Sequence, residues 1–245
     1  MKKYTSMIEK VKEELISVIY PRTCPICGEI LQKNNLQVCD TCKKKIKYIK
    51  EPACKKCGKQ LQVEEQEFCF DCLKGKHDFT RGIALYCHDE WTRKSIYNFK
   101  YNNKREYAKI YANEIILRYR SKIEQWNADY LIPIPLHKSK LRVRGYNQAE
   151  DLSRELSKVL LIPTLKNGVY RMKKTLPQKE LNNKQRINNL KKAFKIGNID
   201  VKSKRVILID DIYTTGATID SVAEVLINSG VEDIFFITIS IGEGL

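Results

Sequence analysis

The sequence predicts an α/β protein, a parallel sheet flanked by helices and preceded by a small cysteine-rich module. Three observations carry this. Eight of the nine cysteines form four C-x-x-C pairs between Cys24 and Cys72. From about residue 77 onward, short apolar runs alternate with helical patterns, as in a parallel sheet covered on both faces. One of those runs continues into two aspartates and a turn rich in threonine and glycine, VILIDDIYTTGATID at 206–220. The expected division is residues 1–76 for a helix and the cysteine module, and 77–245 for the sheet.

The elements are read in chain order. Ser6-x-x-Glu9 forms a capping box, and Ile8, Val11, Leu15 and Val18 give one apolar face, so a helix is expected up to Pro21. After the cysteines, GIALY (82–86) reads as a strand, residues 105–120 as a helix, and DYLIPIP (129–135) as a buried strand. Asn147-x-x-Glu150 opens a helix with Ala149, Leu152, Leu156 and Val159 as its apolar positions. VILI (206–209) is a four-residue strand. A helix with Ile219, Val222 and Val225 follows and closes at Gly230, and IFFITIS (234–240) is a last strand.

Composition narrows the class. A hydrophobic fraction of 42% and a charged fraction of 30% over 245 residues describe an ordinary globular chain. No apolar run reaches the roughly 18 residues that a membrane-spanning helix needs. The first segment is interrupted by Lys10, Lys12, Glu13 and Glu14 and lacks the apolar centre of a signal peptide. A cytoplasmic location is therefore expected, where cysteines act as thiolate ligands more often than as disulfides. The net charge is +16, and residues 138–195 hold 16 Lys and Arg against 4 Asp and Glu. That stretch is either a solvated basic face or a surface that attracts phosphate, on a small ligand or on nucleic acid.

The C-x-x-C pairs are Cys24/Cys27, Cys39/Cys42, Cys54/Cys57 and Cys69/Cys72. Two residues between thiolates let the chain turn back so that both sulfurs reach one tetrahedral ion, and eight ligands imply two structural zinc sites, with iron–sulfur or redox chemistry as the alternative that the same ligands suit. The pairs start every 15 residues, so their spacing alone fits both sequential and cross-braced pairing. CPICGEILQKNNLQVCDTC and CKKCGKQLQVEEQEFCFDC match at an offset of 30 residues, through Gly28/Gly58, Leu31/Leu61 and Gln32/Gln62. Only the first pair of each repeat carries the following glycine, which points to two consecutive ribbons, each closed within its own repeat. Cys87 is left over as a small buried hydrophobe.

In VILIDDIYTTGATID a buried strand delivers Asp210 and Asp211, and a loop through Thr214, Thr215, Gly216, Ala217 and Thr218 runs into a helix. Backbone N–H groups at a helix N-terminus form a site for a phosphate dianion. Adjacent carboxylates at the strand's end suit vicinal ribose hydroxyls, and open α/β sheets bind ligands at the carboxyl ends of their strands.

These residues resemble the phosphoribosyl pyrophosphate (PRPP) signature of type I phosphoribosyltransferases. IPIPLHKSKLRVRGYNQAEDL (132–152) and RMKKTLPQKELNNKQRINNLKKAF (171–194) resemble segments of the ComF family, as does the zinc module ahead of them. The resemblance implies a type I phosphoribosyltransferase-like sheet, with Asp210 and Asp211 on the ribose and the loop 214–218 on the 5′-phosphate. It implies His137, Arg142 and Arg144 near the pyrophosphate, and a mobile loop with Arg171, Gln178 and Arg186. Mg²⁺ would accompany PRPP, and Asp210, Asp211 and Arg144 are the expected catalytic set. The family's association with natural competence implies single-stranded DNA and other DNA-uptake or recombination proteins as partners. Three readings remain: a phosphoribosyltransferase acting on an unidentified acceptor, a DNA-handling factor with a regulatory or vestigial PRPP site, and a zinc-ribbon adaptor between proteins. Tyr146, Tyr170 and Phe194 are the aromatic residues available for base stacking in the basic stretch.

Overall fold

The computed structural model describes residues 21–32, 37–172 and 193–242. The expected N-terminal helix, with its Ser6–Glu9 box, and the loop residues Gln178 and Arg186 lie outside the described residues.

Four parallel strands form the sheet: β1 (Arg81–Cys87), β2 (Tyr130–Pro133), β5 (Arg205–Tyr213) and β6 (Asp233–Ile241), in the order β1-β6-β5-β2. Each is apolar on both faces because both faces are covered. Ile207 and Ile209 of β5, with Phe235, Ile237 and Ile239 of β6, join one core with helices α3 (Glu90–Tyr101), α4 (Tyr107–Glu124) and α6 (Gln148–Leu160). The alternate residues Val206, Leu208, Ile234 and Phe236 join a second core with α7 (Ala217–Ile227). Helix starts follow local chemistry. Asp89 and Thr92 form a reciprocal capping box at α3. Asn147 caps α6 by accepting from the Ala149 N–H, and His137 caps the short α5 (Lys138–Arg144) through the Ser139 N–H. A small antiparallel pair, β3 (Val169–Arg171) and β4 (Phe194–Ile196), stands apart from the main sheet.

The strand read as Val206–Ile209 runs on to Tyr213. Its two aspartates lie within the pairing to β6, Asp210 opposite Thr238 and Tyr213 opposite Ile241. The apolar run stops at Ile209 because β2 stops there, with Pro133 opposite Ile209, and not because the strand ends.

The cysteine module folds as two copies of one unit. In each, the first C-x-x-C caps a tight hairpin: Cys24 N–H donates to Glu29 O and Gly28 N–H to Cys24 O, as Cys54 does to Lys59 and Gly58 to Cys54. Gly28 and Gly58 have φ of 84° and 74°, the left-handed conformation that the hairpin requires. The second pair of each unit sits on a short helix, α1 (Asp40–Lys43) or α2 (Phe70–Lys74). The first unit packs with the core of α3, α4 and α6, the second with the opposite core. Residues between them cover the outer edge of β1. Tyr48 bridges Tyr86 in antiparallel fashion, Cys87 N–H donates to Lys47 O at 2.8 Å, and Gly82 N–H donates to Lys56 O at 2.8 Å. An edge that would otherwise expose unpaired N–H and C=O groups is closed. Buried Glu114 of α4 accepts from the Val38 N–H at 3.1 Å and the Tyr48 hydroxyl at 3.0 Å, fixing the first unit to the sheet's helices.

Gly82 stands where the Phe236 ring lies against β1, and a Cβ there would overlap ring atoms. Gly82→Ala should therefore destabilise the protein by about 1–3 kcal/mol, measured as a lower urea midpoint with unchanged slope. An unchanged midpoint would show that Phe236 can withdraw.

Candidate functional site

The extension of β5 past β2 builds the site. From Asp210 onward the strand is paired on its β6 side only. Successive strand residues point to opposite faces, so the two carboxylates straddle the strand. Asp211 meets Lys100 of α3 at 2.8 Å, while Asp210 feels the charge of Arg171 on β3. Burial first, then the charge of Asp211, pushes the Asp210 carboxyl up to about 7; the Asp211 N–H, donated to its Oδ1 at 2.8 Å, pulls the other way.

Cations gather around this pair. Lys140 of α5 is partly buried, and its ammonium pKa is lowered by that burial and then by Arg171, Arg144 and Lys100. Burial lowers the Arg171 pKa, and the charge of Asp210 works against that shift. Lys100, Lys140 and Arg171 around two carboxylates leave a positive surplus that favours an anion. His88, at the end of β1, bonds the Ser240 hydroxyl through Nδ1 at 2.9 Å; burial, then Lys100 and Arg93, lower its pKa.

Beyond Tyr213 the chain turns into α7 at Gly216, whose φ of 79° is left-handed and whose position supplies no side-chain cap. The N-terminus of α7, with the positive end of its dipole, therefore faces the loop. Three buried polar atoms there, Thr215 Oγ1, Tyr213 Oη and His77 Nε2, have no hydrogen-bond partner among the described residues. A Cβ on Gly216 would lie 2.6 Å from Tyr213 Oη. A helix N-terminus beside a buried hydroxyl awaiting an acceptor fits a phosphate. The oxygen donors of Asp210 and Asp211 fit a hard divalent cation.

The structure brings Asp210, Asp211, the loop Thr214–Thr218 and Arg171 to this one end of the sheet. Arg144 is held by Gln148 at 2.6 Å and by the Tyr101 hydroxyl at 3.1 Å, with its guanidinium over the Tyr101 ring. Arg142 is exposed on α5, and His137 spends Nδ1 on its own helix. Tyr146 and Phe194 are each only 6% exposed and are unavailable for stacking, because the first packs under α3 and the second under β3. Tyr170 is exposed, and Tyr97 and Tyr101 form an exposed ring pair 4.8 Å apart beside Arg144. Sequence reasoning missed Lys100, Lys140, His77 and His88. Lys140 lies inside the PLH segment, and the others come from separate elements with no shared spacing.

The cysteines form two sets, Cys24, Cys27, Cys39, Cys42 and Cys54, Cys57, Cys69, Cys72, each with all sulfurs within 4.8 Å of one another. Cys27–Cys39 and Cys57–Cys69 are 3.8 and 3.6 Å apart. A tetrahedral zinc–thiolate centre with bonds of about 2.3 Å needs sulfurs about 3.8 Å apart, so both sets fit zinc with sequential pairing.

The raised Asp210 has a signed consequence. Between the ordinary value of 3.8 and about 7 the folded protein keeps a proton that the unfolded chain releases, so this group's contribution to stability falls as pH rises through that window. Asp210→Asn removes the titration. The stability difference, variant minus parent, should grow in the variant's favour from about pH 5 to about pH 8; urea unfolding at both pH values measures it, and a constant difference would contradict the assignment.

A double zinc ribbon domain matches residues 15–73, and a phosphoribosyl transferase domain matches residues 141–240. The crystal structure of a purine phosphoribosyltransferase from Pyrococcus horikoshii aligns over 54% of this chain and 83% of its own, at 17% identity and a TM-score of 0.36. The DNA utilization protein YhgH of Salmonella typhimurium is 23% identical over 218 residues, 86% of this chain and 92% of that one. Competence protein F of Haemophilus influenzae is 35% identical over 169 residues, 67% of this chain and 74% of the relative. Among the described residues no helix is long and apolar enough to cross a membrane. At that identity over that share of both proteins, the chain belongs to the competence protein F (ComF) family.

Proposed function

We propose that the chain binds PRPP with Mg²⁺ at the carboxyl end of β5 and transfers its phosphoribosyl group to an acceptor, in the cytoplasm and in the service of DNA uptake. One observation carries this: β5 presents two carboxylates shortly before the turn at Gly216 into α7, where the buried Thr215 hydroxyl has no hydrogen-bond partner among the described residues. Asp210 and Asp211 accept hydrogen bonds from the ribose hydroxyls, and the loop Thr214–Thr218 holds the 5′-phosphate. Lys100, Lys140 and Arg171 balance the pyrophosphate, with His137, Arg142 and Arg144 of the α5 segment as its outer contacts. Bound Mg²⁺ supplies charge neutralisation for the departing pyrophosphate. The carboxylates stabilise positive charge developing at the sugar's C1′. In this scheme the zinc module runs up to residue 76 and the sheet domain from residue 77.

A second reading, handling of single-stranded DNA, has its own support. The relatives carry the names Competence protein F and DNA utilization protein. The Tyr97–Tyr101 pair, flanked by Arg144 and the basic helix α5, offers stacking surface and charge. Other DNA-uptake or recombination proteins would then be its partners.

Mg²⁺–PRPP at about a hundredfold excess over Kd should stabilise the parent by about 2.7 kcal/mol, a rise of several degrees in Tm. The Asp210→Asn/Asp211→Asn double variant should fold, keep its zinc and lose that rise. Equal stabilisation of both proteins would place the sugar elsewhere, and no stabilisation of the parent would refute PRPP binding.

A further inference from the structure

The linker that leaves the second zinc ribbon does not merely connect it to β1. It returns to the phosphate loop. Asp220, in the first turn of α7, accepts from the linker twice: its Oδ2 is 2.9 Å from His77 Nδ1, and its Oδ1 receives the Asp78 N–H at 3.2 Å. The His77 side chain is only 7% exposed. Its ring stacks on Phe79 with centroids 4.9 Å apart, and Phe79 stands edge-on to both Tyr213 and Phe236. Tyr213 in turn lies flat on Phe236 at 4.8 Å. The strand residue just before the loop, the linker ring and the sheet therefore form one packed unit.

Gly216 is the point at which this unit touches the loop. A Cβ on that glycine would lie 2.6 Å from Tyr213 Oη and 3.1 Å from His77 Cε1, so the two side chains wall the side on which a Cβ would stand. Gly216 also begins α7 in the left-handed conformation, and the direction of the first helical N–H groups depends on holding it there. The second ribbon adds its own contacts to the wall. Lys56, in its first hairpin, lies over the Phe79 ring at 5.3 Å and accepts from Gly82 through its carbonyl. The first ribbon packs into the other core and has no part in this wall.

We propose that His77 is a positioning residue for the phosphate loop, so that the second zinc centre, and not the first, sets the loop's order and its affinity for a phosphorylated sugar. The proposal deepens the PRPP reading and rests on it for the identity of the ligand. The coupling itself is a property of the fold.

Two measurements on the full-length protein test it: hydrogen exchange of the segment 213–220 and calorimetry with Mg²⁺–PRPP. Zinc content and Tm are followed in parallel. His77→Ala should speed exchange in the segment and weaken PRPP by about tenfold, while two zinc ions remain bound. His77→Asn places an amide where Nδ1 was, keeps the bond to Asp220 and should recover most of both properties. Cys72→Ser should reproduce the loss, and Cys27→Ser should leave the segment as in the parent. Parent-like exchange in His77→Ala, or equal effects of Cys27→Ser and Cys72→Ser, would overturn the proposal. Exchange that responds as stated in a protein that ignores PRPP would support the coupling and refute the ligand.

Discussion

Everything at the candidate site depends on β5 continuing beyond its neighbour β2. A strand buried on both faces carries apolar side chains, and that condition holds through Ile209. For the next four residues the hydrogen bonds to β6 continue while the other edge is open, which permits polar residues without letting the backbone relax. Asp210 and Asp211 are thus held rigidly at the boundary between core and solvent. The cost is visible in the raised Asp210 carboxyl and the crowded ammonium of Lys140.

That rigidity requires β6 and β1 to stay in place, and here the zinc ribbons matter beyond their own stability. The segment between them closes the outer edge of β1, and the Gly82–Lys56 bond fixes the second ribbon to the same strand. The first ribbon is anchored on the other face through Glu114, a buried carboxylate that would be costly without the Val38 N–H and the Tyr48 hydroxyl. A small module that cannot build a large core gains its order from zinc and lends it to the sheet.

Features governed by local chemistry were legible in the sequence. The four apolar strands, the Asn147 cap and the two cysteine sets each follow from neighbouring residues, and the 30-residue repeat pointed to sequential zinc pairing, which the sulfur positions bear out. The extent of β5 was not legible, because aspartates read as a strand end unless the unequal lengths of β2 and β6 are known. Lys100, Lys140 and His77 reach the site from three separated stretches, and only the strand order β1-β6-β5-β2 brings them together. Tyr146 and Phe194 failed as stacking residues for the same reason. Their surroundings are set by α3 and β3, neither of which showed in the sequence pattern.

The most direct test of a site built on a half-protonated aspartate is the proton count on binding. Calorimetry of Mg²⁺–PRPP binding in two buffers of different ionisation enthalpy gives that count. With Asp210 near 7, the bound cation and ribose hydroxyls should drive off a fraction of a proton at about pH 6.5 and almost none at about pH 9. The release should be smaller in Asp210→Asn. Binding with the same proton count at both pH values, or an undiminished release in the variant, would contradict the account.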